Sequence, residues 1–283
     1  MGRRIIVGLA LLAGCSFDRS SGGGGDGDGA PLIDGGGDGD GDGSPDDPDG
    51  GPCTTGALDF TPEQWVEVAD DSLDLTNGFA VEAWVRLRAV DHERHVVSRH
   101  DNAASEGYLF LIKDGRPEFR TYFADDSGPP SHCDCTYDDE EVVPDQWVHL
   151  AGSFADGTST LFVNGELVAT CDCVEECKGT CEGDVAGYGG PLAIGVEATR
   201  FDRSAVDGLI DDVHVLAAPL SASFDPLQAA TCTDDTLLLF RFDPPVGQEL
   251  ASECGAAATG RLGSEAGADL NDPTAVDVAC PGR

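Results

Sequence analysis

Basic residues are scarce in this chain. Across 283 residues, 16 Lys and Arg stand against 53 Asp and Glu, a formal net charge of −37. That imbalance repels phosphate backbones and anionic bilayer surfaces, so no nucleic acid is expected as a partner. Missing too is any apolar run of the 18 or more residues that a membrane-spanning helix requires. Helix signals are nearly absent beyond residue 52, and Gly-x-Ser-x-Gly, the sharp turn that presents a hydrolase serine, does not occur. Ten Asp and three Arg fall before residue 53, which leaves the remainder at −30. Such a surface attracts divalent cations, and more plainly it keeps the protein soluble in a crowded environment.

The first residues read as an address. Arg3 and Arg4 precede an apolar stretch from Ile5 to Ala13, the pattern of a secretory signal and too short to cross a bilayer. Leu12-Ala13-Gly14-Cys15 resembles the bacterial lipobox. The resemblance implies that residues 1–14 are a lipoprotein signal peptide and that Cys15 becomes the lipidated first residue. Several acyl chains on one residue would make a durable lipid anchor in a membrane. The expected location is the bacterial cell envelope, lipid-anchored at the outer membrane or cell surface. Ser16 carries the choice of membrane, since Asp at that position favours inner-membrane retention in some bacteria.

Residues 15–52 are expected to be a disordered Gly/Asp-rich tether, because Ser20 to Pro52 is almost wholly Gly, Asp, Pro and Ser and cannot bury enough apolar surface to fold. Asp38-x-Asp40-x-Asp42-Gly43, with Asp49 at the twelfth position, mimics a helix-flanked calcium loop. No helical pattern flanks it, and Asp stands where that loop has Glu.

Removing Cys15 from the 11 cysteines leaves ten, an even number in an exported chain and the mark of a disulfide framework. Cys133-Asp134-Cys135 and Cys171-Asp172-Cys173 can face each other as two rungs between adjacent strands, with Cys177 and Cys181 closing a small loop. Cys53 and Cys280 bracket the folded region, which leaves Cys232 and Cys254 to pair. Zinc is the alternative, although zinc sites usually present C-x2-C or C-x4-C pairs.

Residues 53–283 are long enough for one sizeable β domain. Phe79 to Leu87 alternates, with Phe79, Val81, Ala83, Val85 and Leu87 on one face. Tyr108–Lys113 and Pro117–Phe123 flank Asp114-Gly115, and Thr160–Val163 and Glu166–Thr170 flank Asn164-Gly165, two hairpins with turns that require positive φ. Short strands and such turns imply a sandwich or jelly roll.

Blocks across residues 56–226 resemble laminin G-like domains of the concanavalin A-like lectin and glucanase superfamily: "ALDFTPEQWVEVADDSLDLTNGFAVEAWVRL", "HVVSRHD", "GYLFLIKDGRPEFR", "QWVHLAGSFADGTSTLFVNGELVAT", "PLAIGVE" and "DGLIDDVHVLAAPLSASF". The resemblance implies an all-β, two-sheet antiparallel jelly-roll sandwich, disulfide-braced, with residues 234–283 supplying further strands. In that family the segment at Asp207–Leu220 is a structural strand. Alternation sets Leu209, Asp211, Val213 and Val215 on one face and Ile210, Asp212, His214 and Leu216 on the other, so Asp211 and Asp212 point apart and Asp212 is solvated beside His214.

Some superfamily members hydrolyse polysaccharides with Glu-x-Asp-x-Glu along one strand. Here the lone Glu-x-Asp is Glu182-Gly183-Asp184, in a Gly- and Cys-rich stretch with no third Glu. No catalytic residue is therefore assigned. His92, His95 and His100 cluster in sequence, but surface histidines around a strand start are ordinary, and His149 is expected to pack in a sheet. Trp65, Trp84 and Trp147 can stack on sugars, although each lies in a fold-defining block where core packing is the plainer role. Several family members hold calcium at the sandwich rim; no ligand set transfers, and the metal stays unknown. The expected function is a non-enzymatic, surface-anchored binding module for a carbohydrate or protein ligand. The alternatives are a structural spacer lipoprotein of the envelope and a polysaccharide hydrolase.

Overall fold

The computed structural model describes residues 54–279 except 102, 105, 125–130, 140, 176–177, 180, 200–203, 221, 227–230, 244–245, 255–258 and 264–268. All of these belong to the compact unit Asp47–Arg283. The signal segment, Cys15, the tether, Cys53, Cys177 and Cys280 lie outside the described residues.

Sixteen strands and one short 3-10 turn are present among the described residues. In chain order they are β1 (Thr54–Phe60), β2 (Val66–Val68), β3 (Phe79–Leu87), β4 (Glu93–Asp101), β5 (Glu106–Lys113), β6 (Arg116–Phe123), β7 (Ser131–Thr136) and β8 (Val148–Ala155). There follow β9 (Thr158–Val163), β10 (Glu166–Asp172), β11 (Leu192–Ile194), β12 (Gly208–Leu216), β13 (Thr236–Phe240), β14 (Glu249–Ala251), β15 (Thr259–Leu262) and β16 (Thr274–Ala279). One sheet runs β10-β9-β8-β3-β12-β1-β16, with β13 on the far half of β12; the other runs β14-β15-β2-β11-β4-β5-β6-β7. The protein is all-β, a sandwich of two antiparallel sheets.

Local chemistry sets the hairpins. Asp114-Gly115 and Asn164-Gly165 both take positive φ at the two turn positions, and Asp156-Gly157 makes a third turn of the same kind between β8 and β9. Such turns match the twist of the strands they join. The inward face of β3, Phe79, Val81, Ala83, Val85 and Leu87, is buried in the main core. Phe79 bridges the sheets, its ring 4.8 Å from Tyr108, 6.2 Å from Phe119 and 6.1 Å from Phe154. Each such aromatic contributes about 1.5–3 kcal/mol by burial.

Cys133 joins Cys173 and Cys135 joins Cys171, while Cys232 joins Cys254. Cys181 is also oxidised. The two rungs differ in one respect from the sequence reading. β7 and β10 are not neighbours in a sheet but the edge strands of opposite sheets, so the CxC pairs lace one open side of the sandwich shut. Alternation at i and i+2 turns both cysteines of β7 inward, where both are buried.

β12 also departs from simple alternation. Asp211 sits opposite Trp84, but His214 sits opposite Glu82, so two positions on β12 face one on β3, one residue more than regular pairing allows. This is a β-bulge, with Asp212 at φ 48°. Cross-strand register puts Leu209 and Asp211 on the outer face beside Arg86 and Trp84, whereas Val213 and Val215 turn into the core. The acidic pair has a structural reason: Asp211 Oδ1 accepts the Asp212 N–H at 2.8 Å, and Asp tolerates the left-handed backbone better than most residues.

Candidate functional site

The outer face of the β3-β8-β12 sheet carries aromatic and polar groups around a cavity. Outward positions of β3 place Glu82, Trp84 and Arg86 in a row. Beside them are Trp147 and His149, at the entry and the second residue of β8, because Val148 and Leu150 point into the core. After β12 the chain turns back across this face. Phe224 packs against Phe162 of β9 at 5.6 Å and against His149 at 5.5 Å, and its N–H donates to the Gly165 carbonyl. Only glycine permits that crossing, since a Cβ on Gly165 would lie 2.1 Å from the Phe224 carbonyl oxygen.

The result is a cavity of about 680 Å³ lined by Trp84, Trp147, Asn164, Gly165, Glu166, Ser223, Phe224, Asp225 and Pro226. A smaller hollow of about 90 Å³ adjoins it, sharing Trp147 and Asn164 and adding Pro117, Tyr137, Glu141, Val142, Val143 and Gln146. The Asn164 amide oxygen accepts the His149 N–H at 3.0 Å, which fixes the turn. Trp147 Nε1 has no hydrogen-bond partner among the described residues.

A buried polar network supports the aromatic walls. His149 meets Trp84 edge-on at 5.1 Å, and its Nε2 lies 3.5 Å from Glu82. His214 holds Glu82 at 2.7 Å through Nδ1 and Thr236 at 3.0 Å through Nε2. Burial alone would raise the Glu82 carboxyl, but hydrogen bonds and charge from His149 and His214 outweigh it and bring it down to about 2. Glu82 is therefore ionised and fully engaged, a brace for the two imidazoles rather than a free acid or base.

Near the bulge, Asp212 is half-buried, not solvated beside His214. Burial pushes its carboxyl up to about 6, with Arg241 opposing the shift. On the opposite sheet a second charged group occupies a cavity of about 460 Å³. There Arg120 binds Glu118 and Asp134, each at 2.5 Å, and Lys178 also pairs with Asp134. Burial alone would raise Asp134, but hydrogen bonding from His132 and the charge of Arg120 hold it below the usual carboxylate range. Its charges are mutually satisfied.

The structure separates the tryptophans: Trp84 and Trp147 meet at the cavity, and Trp65 packs with Ala193, Val196, Ala198 and Ala205. His95 and His100 are buried with rings 5.8 Å apart, and His92 is exposed. Glu182 and Asp184 sit exposed on a bend. Among the described residues no three His, Cys, Asp or Glu side chains group as metal ligands would. The resemblance-based expectation of rim calcium is assigned to no residues, and the Asp38–Asp49 pattern lies outside the described residues. Phe224, Glu82 and Glu166 carry no site signal in the sequence, since what joins them is a crossing made after β12.

Two antiparallel sheets packed face to face define the class, a jelly-roll-type β-sandwich. Residues 60–223 match the laminin G family model described as the concanavalin A-like lectin/glucanases superfamily, and the chain belongs to that superfamily. No curated protein matches the chain in sequence. Among solved structures, a candidate carbohydrate binding protein from Bacteroides ovatus is similar at TM-score 0.56 and 13% identity, over 80% of this chain and 61% of that one. The present chain thus spans less than two thirds of that protein's length. The carbohydrate-binding module CBM40 of the Ruminococcus gnavus IT-sialidase, bound to α2,3-sialyllactose, gives 0.47 at 14% identity over 63% and 98% of the two chains. A heptameric SAP-like pentraxin from Limulus polyphemus gives 0.45 at 14% identity over 66% and 94%.

Proposed function

We propose that the chain is a non-catalytic binding module whose outer-face cavity, walled by Trp84, Trp147 and Phe224, takes a carbohydrate. The cavity carries the reading: aromatic faces stack on the C–H faces of a sugar ring, and Asn164, Glu166 and Asp225 offer amide and carboxylate groups to its hydroxyls. Its volume lies within the range of ligand pockets. Family membership supports a lectin-like role, and the missing third acid of Glu-x-Asp-x-Glu argues against hydrolysis. The lipobox-like Leu12-Ala13-Gly14-Cys15 supports lipid anchoring of this module in a bacterial envelope.

The test is binding of the full chain, disulfides formed, to a broad glycan panel. Trp147→Ala should weaken the glycans that bind by about tenfold, the loss of roughly 1–2 kcal/mol of stacking, with the circular dichroism spectrum unchanged. A panel with no binder, or a Trp147→Ala variant that binds as well as the parent, would defeat the reading.

A further inference from the structure

We infer that the sugar taken by the Trp84–Trp147 cavity carries an ammonium group: a 2-amino-2-deoxyhexose rather than a neutral or an anionic sugar. The inference rests on the carbohydrate reading of this cavity and narrows it by charge.

No lysine or arginine lines the cavity, and its ionisable groups are the carboxylates Glu166 and Asp225. The adjoining hollow adds Glu141 and again no cation. Arg86, two residues beyond Trp84 on the same face, spends its Nε–H on the Asp145 carbonyl at 3.0 Å and does not line the wall. Glu166 has no ion-pair partner among the described residues. A uronate or sialate carboxylate would meet like charge at Glu166, which has no cation beside it among the described residues. An ammonium would meet two indoles and a phenyl ring, the side chains that attract cations, together with the Glu166 carboxylate, which has no ion-pair partner among the described residues. The −30 of residues 53–283 adds an attractive background for the same ligand and a repulsive one for its anionic counterpart.

The experiment is calorimetric titration of the full chain with three disaccharides of matched length: diglucosamine, its N,N′-diacetyl form and a glucuronate-containing one. The diamine should bind about tenfold tighter than the diacetyl form, the sum of one exposed charge pair and one cation–π contact, and the uronate should not bind. Glu166→Gln, at an exposed position that leaves the fold intact, should cut the preference about threefold by weakening the diamine more than the diacetyl form. Equal or tighter binding of the diacetyl or uronate sugar would overturn the inference and leave the carbohydrate reading standing. Failure of all three sugars to bind would overturn both. A diamine preference that survives in Trp147→Ala would show mere attraction to an acidic surface, and would also overturn it.

Discussion

At the scale of the residue, the outer face of the sheet illustrates how burial divides carboxylates. Glu82 and Asp212 lie on neighbouring strands, yet one is driven down to about 2 by two imidazoles and the other up to about 6 by desolvation. The Asp212 case has a definite sign. The unfolded carboxyl titrates near its ordinary 3.8 and the folded one near 6, so the folded state keeps its proton longer. Stability contributed by the protonated form is present below 3.8 and lost as pH rises to 6, because the folded chain must then hold a half-buried charge. Asp212→Asn keeps a residue tolerant of φ 48° and removes that cost. It should stabilise by about 1–2 kcal/mol at pH 7.5, a few degrees in Tm, once partial exposure and the nearby Arg241 are allowed for. At pH 3.5 the gain should vanish. Thermal melts at the two pH values check this, and an equal gain at both would show that charge is not the cause.

At the scale of the element, the hairpins and β3 were legible because their signals are local. Asp-Gly and Asn-Gly need only their own φ angles, and a period-two pattern needs only nine residues. The β12 bulge was not legible: a single inserted residue reverses alternation, and Asp211-Asp212, although Asp suits a left-handed backbone, reads equally as one solvated and one hydrogen-bonded strand residue. Strict alternation groups Leu209 and Asp211 with Val213 and Val215, from which the bulge separates them. The cavity was hidden for another reason, as Trp84, Trp147 and Phe224 come from three distant segments and only the chain crossing over Gly165 brings them together. The CxC motifs lay between these cases, with facing pairs readable but not the fact that they link opposite sheets. That geometry makes the rungs redundant, since they close loops of separation 40 and 36 two residues apart. Replacing Cys133 and Cys173 by Ser should cost about 1 kcal/mol, because the second rung still restrains the unfolded chain. Removing all four cysteines should cost about 3–4 kcal/mol. Urea midpoints for the two variants decide, and equal steps for each rung would rule out shared loop closure as the source.

At the scale of the whole molecule, charge and address act on the same problem. A module proposed to bind sugars at a bacterial surface must stay attached yet avoid adhering to the anionic layer around it, and the −30 carried by residues 53–283 provides the second condition. We propose that the first falls to Cys15, the cysteine of the lipobox-like Leu12-Ala13-Gly14-Cys15. An acyl anchor and an acidic body oppose each other energetically. Attachment must therefore come almost wholly from the acyl chains, each buried CH₂ worth about 0.8 kcal/mol, with no electrostatic help from lipid headgroups. Replacing Cys15 by Ser should then release the chain completely instead of weakening its attachment by degrees. In cells fed an alkyne-tagged fatty acid, the parent chain should take up label and sediment with membranes at both low and high salt. The Cys15→Ser chain should be unlabelled and soluble at both. A Cys15→Ser chain that stayed with the membranes, or a parent chain that high salt stripped from them, would mean that attachment runs through some other surface.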